Sequence, residues 1–169
     1  MEFQKDGQVH VSPLQIPDAA LHDLDDNLLM FFTGYSRSAS GVLSDQKQKS
    51  ESDDRAMLDN LHFIKELGYS IKAALEAGDV LRFASLMHQH WLHKKARSQG
   101  ISNSDINQWY DLGYANGARG GKLIGAGGGG FLMFYAEDRS KLRKAMAGAG
   151  LTEVRFNFDH EGSKILVHG

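Results

Sequence analysis

Between Ile124 and Phe131 the chain reads GAGGGG, and the apolar run FLMFYA follows directly. Glycine gives up more backbone freedom on folding than any other residue, so such a cluster needs a compensating reason. Two reasons qualify: backbone at positive φ, or close approach of another group to a main chain without Cβ atoms. A loop of this kind can wrap anionic oxygens with its N–H groups, or it can be a tight connection between two strands. Other phosphate-binding patterns fit poorly. GxxxxGK[ST] is absent, and although Gly125, Gly127 and Gly130 formally satisfy GxGxxG, the run leads into FLMFYA and not into a helix, which argues against a dinucleotide fingerprint.

The segments around the loop alternate between strand and helix patterns. KLI and FLMFYA read as strands flanking the glycines, DRSKLRKAMAGAG as a helix, and TEVRFNF and SKILVHG as two further strands. In VRFNF, Val154, Phe156 and Phe158 alternate with Arg155 and Asn157, the pattern of a half-buried antiparallel strand. Upstream, residues 28–34 have the length of a buried strand ending at Gly34. FQKDGQVHV places Asp6-Gly7 between β-compatible segments as a tight hairpin, and Asp18 to Asn27 is an acidic connection or a short helix. From Asp53 to Ala77, Leu58, Leu61, Ile64, Leu67, Ile71 and Leu75 recur at steps of three and four, one stripe of a helix. Val80, Phe83, Ala84, Met87 and Trp91 repeat the pattern after Gly78-Asp79, which predicts an αα-hairpin. Ser104 or Asp105 is placed to cap a third helix, INQWYDLGYANGA. Strands meet helices with no repeated β-helix-β unit, so the predicted fold class is α+β, helices on a mostly antiparallel sheet.

With 169 residues, 41% of them hydrophobic, the chain can bury one compact core. A formal net charge of −2 gives a nucleic-acid or anionic-membrane surface no global support. No cysteine is present, which removes disulfides and thiolate chemistry and is compatible with a cytoplasmic location. The polar start MEFQKDGQVH does not read as a signal peptide, and no apolar run reaches the roughly 20 residues of a membrane helix.

Two segments beside the loop offer chemistry. In TGYSRSA, Thr33, Ser36 and Ser38 supply hydroxyls and Arg37 a planar fork suited to a sugar phosphate; alternatively Ser36 or Ser38 caps a helix and Arg37 is solvated. In HQHWLHKKAR, helical spacing brings His90, Lys94 and Arg97 together with His93 nearby, as a basic patch lining a cleft or as a solvated face with packed lysine stems. Lys94 and Lys95 are the substrate-binding candidates there. His88, His90 and His93 do not share one face and no carboxylate lies one turn away, so the spacing disfavours a metal site.

GGKLIGAGGGGFLMFYA resembles the third conserved motif of the GHMP kinases. FFTGYSRSASGVLSDQ and HWLHKKARSQGISNSDINQWYDLGYANGARGGKLIGAGGGG resemble the sugar-kinase branch of that family, most of all the D-glycero-D-manno-heptose 7-phosphate kinases and then fucokinase-like enzymes. The resemblance implies a ferredoxin-like carboxyl-terminal domain over residues 28–169, with residues 1–27 as terminal strands of an amino-terminal domain and a linker. It also implies transfer of the ATP γ-phosphoryl group to a sugar hydroxyl, with ATP and Mg2+ as cofactors. Gly125, Ala126, Gly127, Gly128 and Gly129 would then face the nucleotide phosphates, and Thr33, Ser36, Arg37, Lys94 and Lys95 the sugar or sugar phosphate. The family's Pro-x-x-x-Gly-Leu-x-Ser-Ser loop and its catalytic acid have no counterpart in this sequence. The implied partner is therefore an amino-terminal kinase domain, in cis or in trans, without which the chain is expected to be inactive and to self-associate through the apolar surface left open. The competing expectation is a non-catalytic binding or dimerisation module on the same scaffold.

Overall fold

The computed structural model describes residues 1–35, 44, 47–48, 55–97, 100–125, 127–159 and 162. In chain order its elements are β1 (Glu2–Phe3), β2 (Val9–His10), α1 (Asp18–Asn27), β3 (Leu28–Phe32), α2 (Arg55–Glu76), α3 (Val80–Arg97), α4 (Ser104–Ala115), β4 (Ala118–Ile124), β5 (Phe131–Ala136), α5 (Arg139–Gly148) and β6 (Thr152–Glu153). β1 and β2 form the hairpin around Asp6-Gly7. The other four strands form one antiparallel sheet in the order β4-β5-β3-β6. Helices on a mostly antiparallel sheet are the α+β class that the pattern of segments predicts.

Period-two alternation sorts the apolar residues of the sheet between two cores. Leu29 lies opposite Phe134 and Phe31 opposite Leu132, so these four side chains share one face. There they pack with Ile106 and Tyr110 of α4 and with Leu142 and Met146 of α5. Leu28 pairs with Tyr135 and Met30 with Met133 on the reverse face. Leu28, Met133 and Tyr135 meet Ala20 and Leu24 of α1 and Val80, Ala84 and Met87 of α3. Residues 18–27 are thus the helix of the two alternatives, with Ala20 and Leu24 in the core.

Helix α3 lies against β4 and belongs to both cores, since Ala84 and Met87 join one and Trp91 the other. This contact extends β4 beyond the predicted KLI. A Cβ built on Gly120 would stand 1.8 Å from the Ala84 carbonyl oxygen, so the strand can continue back to Ala118 under the helix only because position 120 has no side chain. The carbonyls of Gly121 and Leu123 are held by side chains of the helices: Tyr110 Oη donates to Gly121 at 3.1 Å and Lys94 Nζ to Leu123 at 3.2 Å. Such bonds cover backbone acceptors that an edge strand otherwise leaves open to another chain.

Three local expectations differ from the structure. Asn103, not Ser104 or Asp105, caps α4: its side chain accepts from the Ile106 amide at 2.8 Å. The TEVRFNF segment contributes only Thr152–Glu153 to the ladder, followed by a single Val154 N–H bond to Met30 at 2.8 Å. The ladder uses only Phe31 and Phe32 of β3, although all five residues of that strand pair with β5 on its other side. On α2 the buried positions are Met57, Leu67 and Ala74, with Leu61 exposed, because α3 covers a narrower face than the leucine periodicity suggests. SKILVHG lies outside the described residues.

The approach at Gly120 generates a direct comparison. Gly120→Ala should destabilise the chain by about 3 kcal/mol, since helix or strand must move to admit a methyl group. Gly68→Ala, in α2 with nothing within 4 Å of the added Cβ, should stabilise it by up to about 1 kcal/mol. Urea unfolding of the two variants beside the parent measures both.

Candidate functional site

The glycine loop joins β4 to β5, and its backbone uses conformations that other residues resist. Gly125, Gly127, Gly128 and Gly130 have φ of +102, +120, +76 and +105°. Ala126 lies outside the described residues.

Two neighbouring segments hold the loop from opposite sides. On one, Thr33 at the exit of β3 donates to the Gly130 carbonyl from both its amide, at 3.0 Å, and its hydroxyl, at 2.9 Å. The Gly130 amide in turn donates to the Tyr35 carbonyl at 2.9 Å. A Cβ on Gly129 would stand 2.6 Å from that same Tyr35 oxygen. On the other side the Gly128 amide donates to the Ile101 carbonyl at 2.9 Å, and a Cβ on Gly127 would stand 2.9 Å from Ile101 Cα. The glycines therefore serve both needs at once, positive φ and close approach.

This stitching leaves the loop with alternate donors. The amides of Gly128 and Gly130 are engaged inside the protein, whereas those of Gly127 and Gly129 have no partner among the described residues. The loop thus offers separated N–H groups, not the uninterrupted series that its sequence suggests. Gly127 and Gly129 are themselves buried, and buried N–H groups without a protein partner call for another acceptor, such as an anion's oxygens.

The other candidate residues divide between support and surface. Lys94 is turned beneath the loop, where Nζ donates to the carbonyls of Leu123 at 3.2 Å and Gly125 at 2.5 Å. Thr33 is likewise buried and engaged with Gly130. Lys95 lies in the groove between α3 and α4, 5.5 Å from the Trp91 ring centroid and 5.9 Å from that of Tyr110, with Asn107 Oδ1 at 3.4 Å. Ser102 Oγ reaches the same Asn107 oxygen at 3.0 Å, so Lys95, Asn107 and Ser102 form a polar group next to Ile101. Ser36, Arg37 and Ser38 lie outside the described residues.

Two contributors escaped the motif reading because they act through the main chain. Ile101 supports the loop with its carbonyl, which no side-chain pattern reports. Tyr35 does the same, and its phenol is fixed by donating to the Asp105 carboxylate in the first turn of α4. That bond raises the Tyr35 pKa above the ordinary tyrosine value, because ionisation would set phenolate against carboxylate.

The groove that holds Lys95 also contains a titratable contact. Tyr110 has one hydroxyl proton and donates it to Gly121, so His88 Nδ1, 2.7 Å away, must be the protonated ring nitrogen and donate to Tyr110. Tyr114 stacks on the same imidazole at a centroid distance of 4.6 Å. Burial first, and the Lys95 charge second, lower the His88 pKa below the ordinary 6.5, with Asp111 opposing them. The unfolded chain therefore binds this proton more readily than the folded one, so the stability His88 contributes is present above pH 6.5 and lost as pH falls through the depressed value. Between pH about 7 and about 5.5 the urea midpoint should fall, and His88→Gln should flatten that fall.

Residues 71–150 match the family model described as GHMP kinases C terminal. A D-glycero-alpha-D-manno-heptose 7-phosphate kinase from Campylobacter jejuni is 32% identical over 166 residues, covering 97% of this chain and 48% of that kinase. A bifunctional fucokinase/GDP-fucose pyrophosphorylase from Arabidopsis thaliana is 27% identical over 139 residues, covering 81% of this chain and 13% of that protein. The solved D-glycero-D-manno-heptose 1-phosphate kinase from Bacteroides thetaiotaomicron has the same fold, with a TM-score of 0.60 at 24% identity over 92% of this chain and 40% of that one. The chain spans about half the length of the Campylobacter kinase, 48% of it. Matched segment, fold and glycine loop agree on a GHMP kinase carboxyl-terminal domain.

Proposed function

We propose that this chain is the carboxyl-terminal part of an ATP-dependent sugar kinase of the heptose-phosphate type, transferring the ATP γ-phosphoryl group to a sugar hydroxyl. The observation that carries this reading is the glycine loop, stitched to both flanks yet keeping the Gly127 and Gly129 amides unengaged. In phosphoryl transfer, positioning and neutralisation of the phosphate oxygens supply most of the catalysis. The two amides fit a nucleotide phosphate in that role, and a side chain at Gly127 or Gly129 would collide with Ile101 or Tyr35. Lys95, beside Trp91, Tyr110 and Asn107, is the cation this reading gives to a sugar phosphate, and Ser36 and Arg37 belong to the same reading. Among the described residues no group of three or more His, Cys, Asp or Glu side chains could hold a metal ion.

The acceptor class follows from the resemblance to heptose-phosphate kinases and fucokinases. A cytoplasmic location, an amino-terminal kinase domain as partner and self-association of the isolated chain are parts of the same proposal. Among the described residues no helix is long and apolar enough to cross a membrane. Leu61, Phe63 and Tyr69 of α2 are individually exposed apolar side chains, and exposed apolar area favours self-association. Sedimentation over a range of concentrations should show species larger than the monomer; a monomer throughout removes that part.

The activity is tested by coupled ADP release with Mg-ATP and either D-glycero-D-manno-heptose 7-phosphate or L-fucose. The chain is assayed alone and with the amino-terminal half of a related kinase supplied in trans. Turnover should require the added half and be abolished by Gly127→Asp. Silence in both arms, with the chain shown to be folded, favours the non-catalytic module instead.

A further inference from the structure

Thr33 and Lys94 are the two buried polar or charged side chains among the described residues, at 4% and 9% exposure. Both are bonded to the same short stretch of backbone. Thr33 Oγ1 holds the carbonyl of Gly130 at one end of the glycine loop, and Lys94 Nζ holds the carbonyl of Gly125 at the other. Burying an ammonium is unfavourable unless strong acceptors replace its water. In this place a methionine of similar length would pack without that cost. Packing therefore explains neither the charge nor its position.

We propose that Thr33 and Lys94 are positioning residues that bracket the glycine loop and fix it in its anion-accepting form. An anion is attracted by N–H groups and repelled by carbonyl oxygens, so a loop offering both attracts little. The brackets draw the first carbonyl of the loop toward α3 and the last toward β3. Gly128 and Gly130 amides are tied to Ile101 and Tyr35, and the Gly127 and Gly129 amides remain for the ligand. Lys94 contributes through the loop and does not touch the phosphate. This assignment replaces the substrate-contact role that the residue types alone suggest, and it rests on the phosphate reading proposed above only for the identity of the ligand.

The test is amide hydrogen exchange and chemical-shift mapping on the full chain, with pyrophosphate as the probe. Lys94→Met should speed exchange at Gly128 and Gly130 by about tenfold or more, and the near-isosteric Thr33→Val by a smaller factor at Gly130, while the β5 core amides keep their protection. In the parent chain pyrophosphate should shift the Gly127 and Gly129 amides. Compared where each variant is fully folded, its pyrophosphate affinity should be lower, which a purely structural loss of stability would not produce. Unchanged exchange in both variants overturns the bracketing. So does a parent Lys94 ammonium resonance that moves with pyrophosphate as the amides do, since that makes Lys94 a ligand contact. Should Lys94→Met fail to fold, Thr33→Val and the parent ammonium resonance decide. No response of the parent amides to pyrophosphate counts against the phosphate reading, and the exchange data still judge the brackets.

Discussion

The approach of helix α3 to strand β4 at Gly120 fixes the geometry on which the loop depends. With no Cβ in the way, the Ala84 carbonyl sits almost on the strand. From Ala84 to Lys94 the helix advances about 15 Å, and from Gly120 to Leu123 or Gly125 an extended chain advances about 10–17 Å. Helix and strand thus travel side by side for the same length, which brings the Lys94 ammonium to the last carbonyls before the glycines. A side chain at position 120 would lever the helix away and break that reach, although it lies far along the strand from the loop.

The same contact orders the rest of the groove. Once α3 is pressed against β4, Trp91 enters the core that α4 shares with the sheet, and Tyr110 of α4 reaches the Gly121 carbonyl. His88 and Lys95, both on α3, then close over Tyr110. Two helices and one strand edge are tied by a single aromatic residue whose hydroxyl accepts from one helix and donates to the strand. Burial holds the Tyr110 pKa well above the ordinary tyrosine value, which keeps that proton in place at neutral pH.

Much of this was legible in the sequence wherever one dominant force decides the outcome. Hydrophobic period gave the helical hairpin, and short apolar runs gave both central strands, in which Leu29, Phe31, Leu132 and Phe134 are buried. Close contests were not legible. Asn103 and Ser104 are both good caps, and the helix starts after Asn103, whose side chain accepts from the Ile106 amide. Lys94 and Lys95 are neighbours with the same chemistry, yet helical geometry turns them about 100° apart, one under the loop and one into the groove. The half-buried strand expected for VRFNF does not form: Phe158 is exposed, and only Thr152–Glu153 pair with β3. The supports given by the Ile101 and Tyr35 carbonyls have no sequence signature, since every residue has a carbonyl.

The loop's economy of donors also explains why this domain and a phosphate cradle are not the same thing. Hydrogen bonds to a charged group contribute about 1.5–3 kcal/mol each, so the Gly127 and Gly129 amides together give about 3–6 kcal/mol. Immobilising a ligand costs an estimated 4–15 kcal/mol or more. In the role proposed for the loop, two amides would hold a phosphate only weakly and would leave most of a nucleotide's affinity to other groups. The brackets at Thr33 and Lys94 make sense in those terms. A loop with few donors gains most by having them already in position, because any freedom left in it would be subtracted from an interaction that is already small.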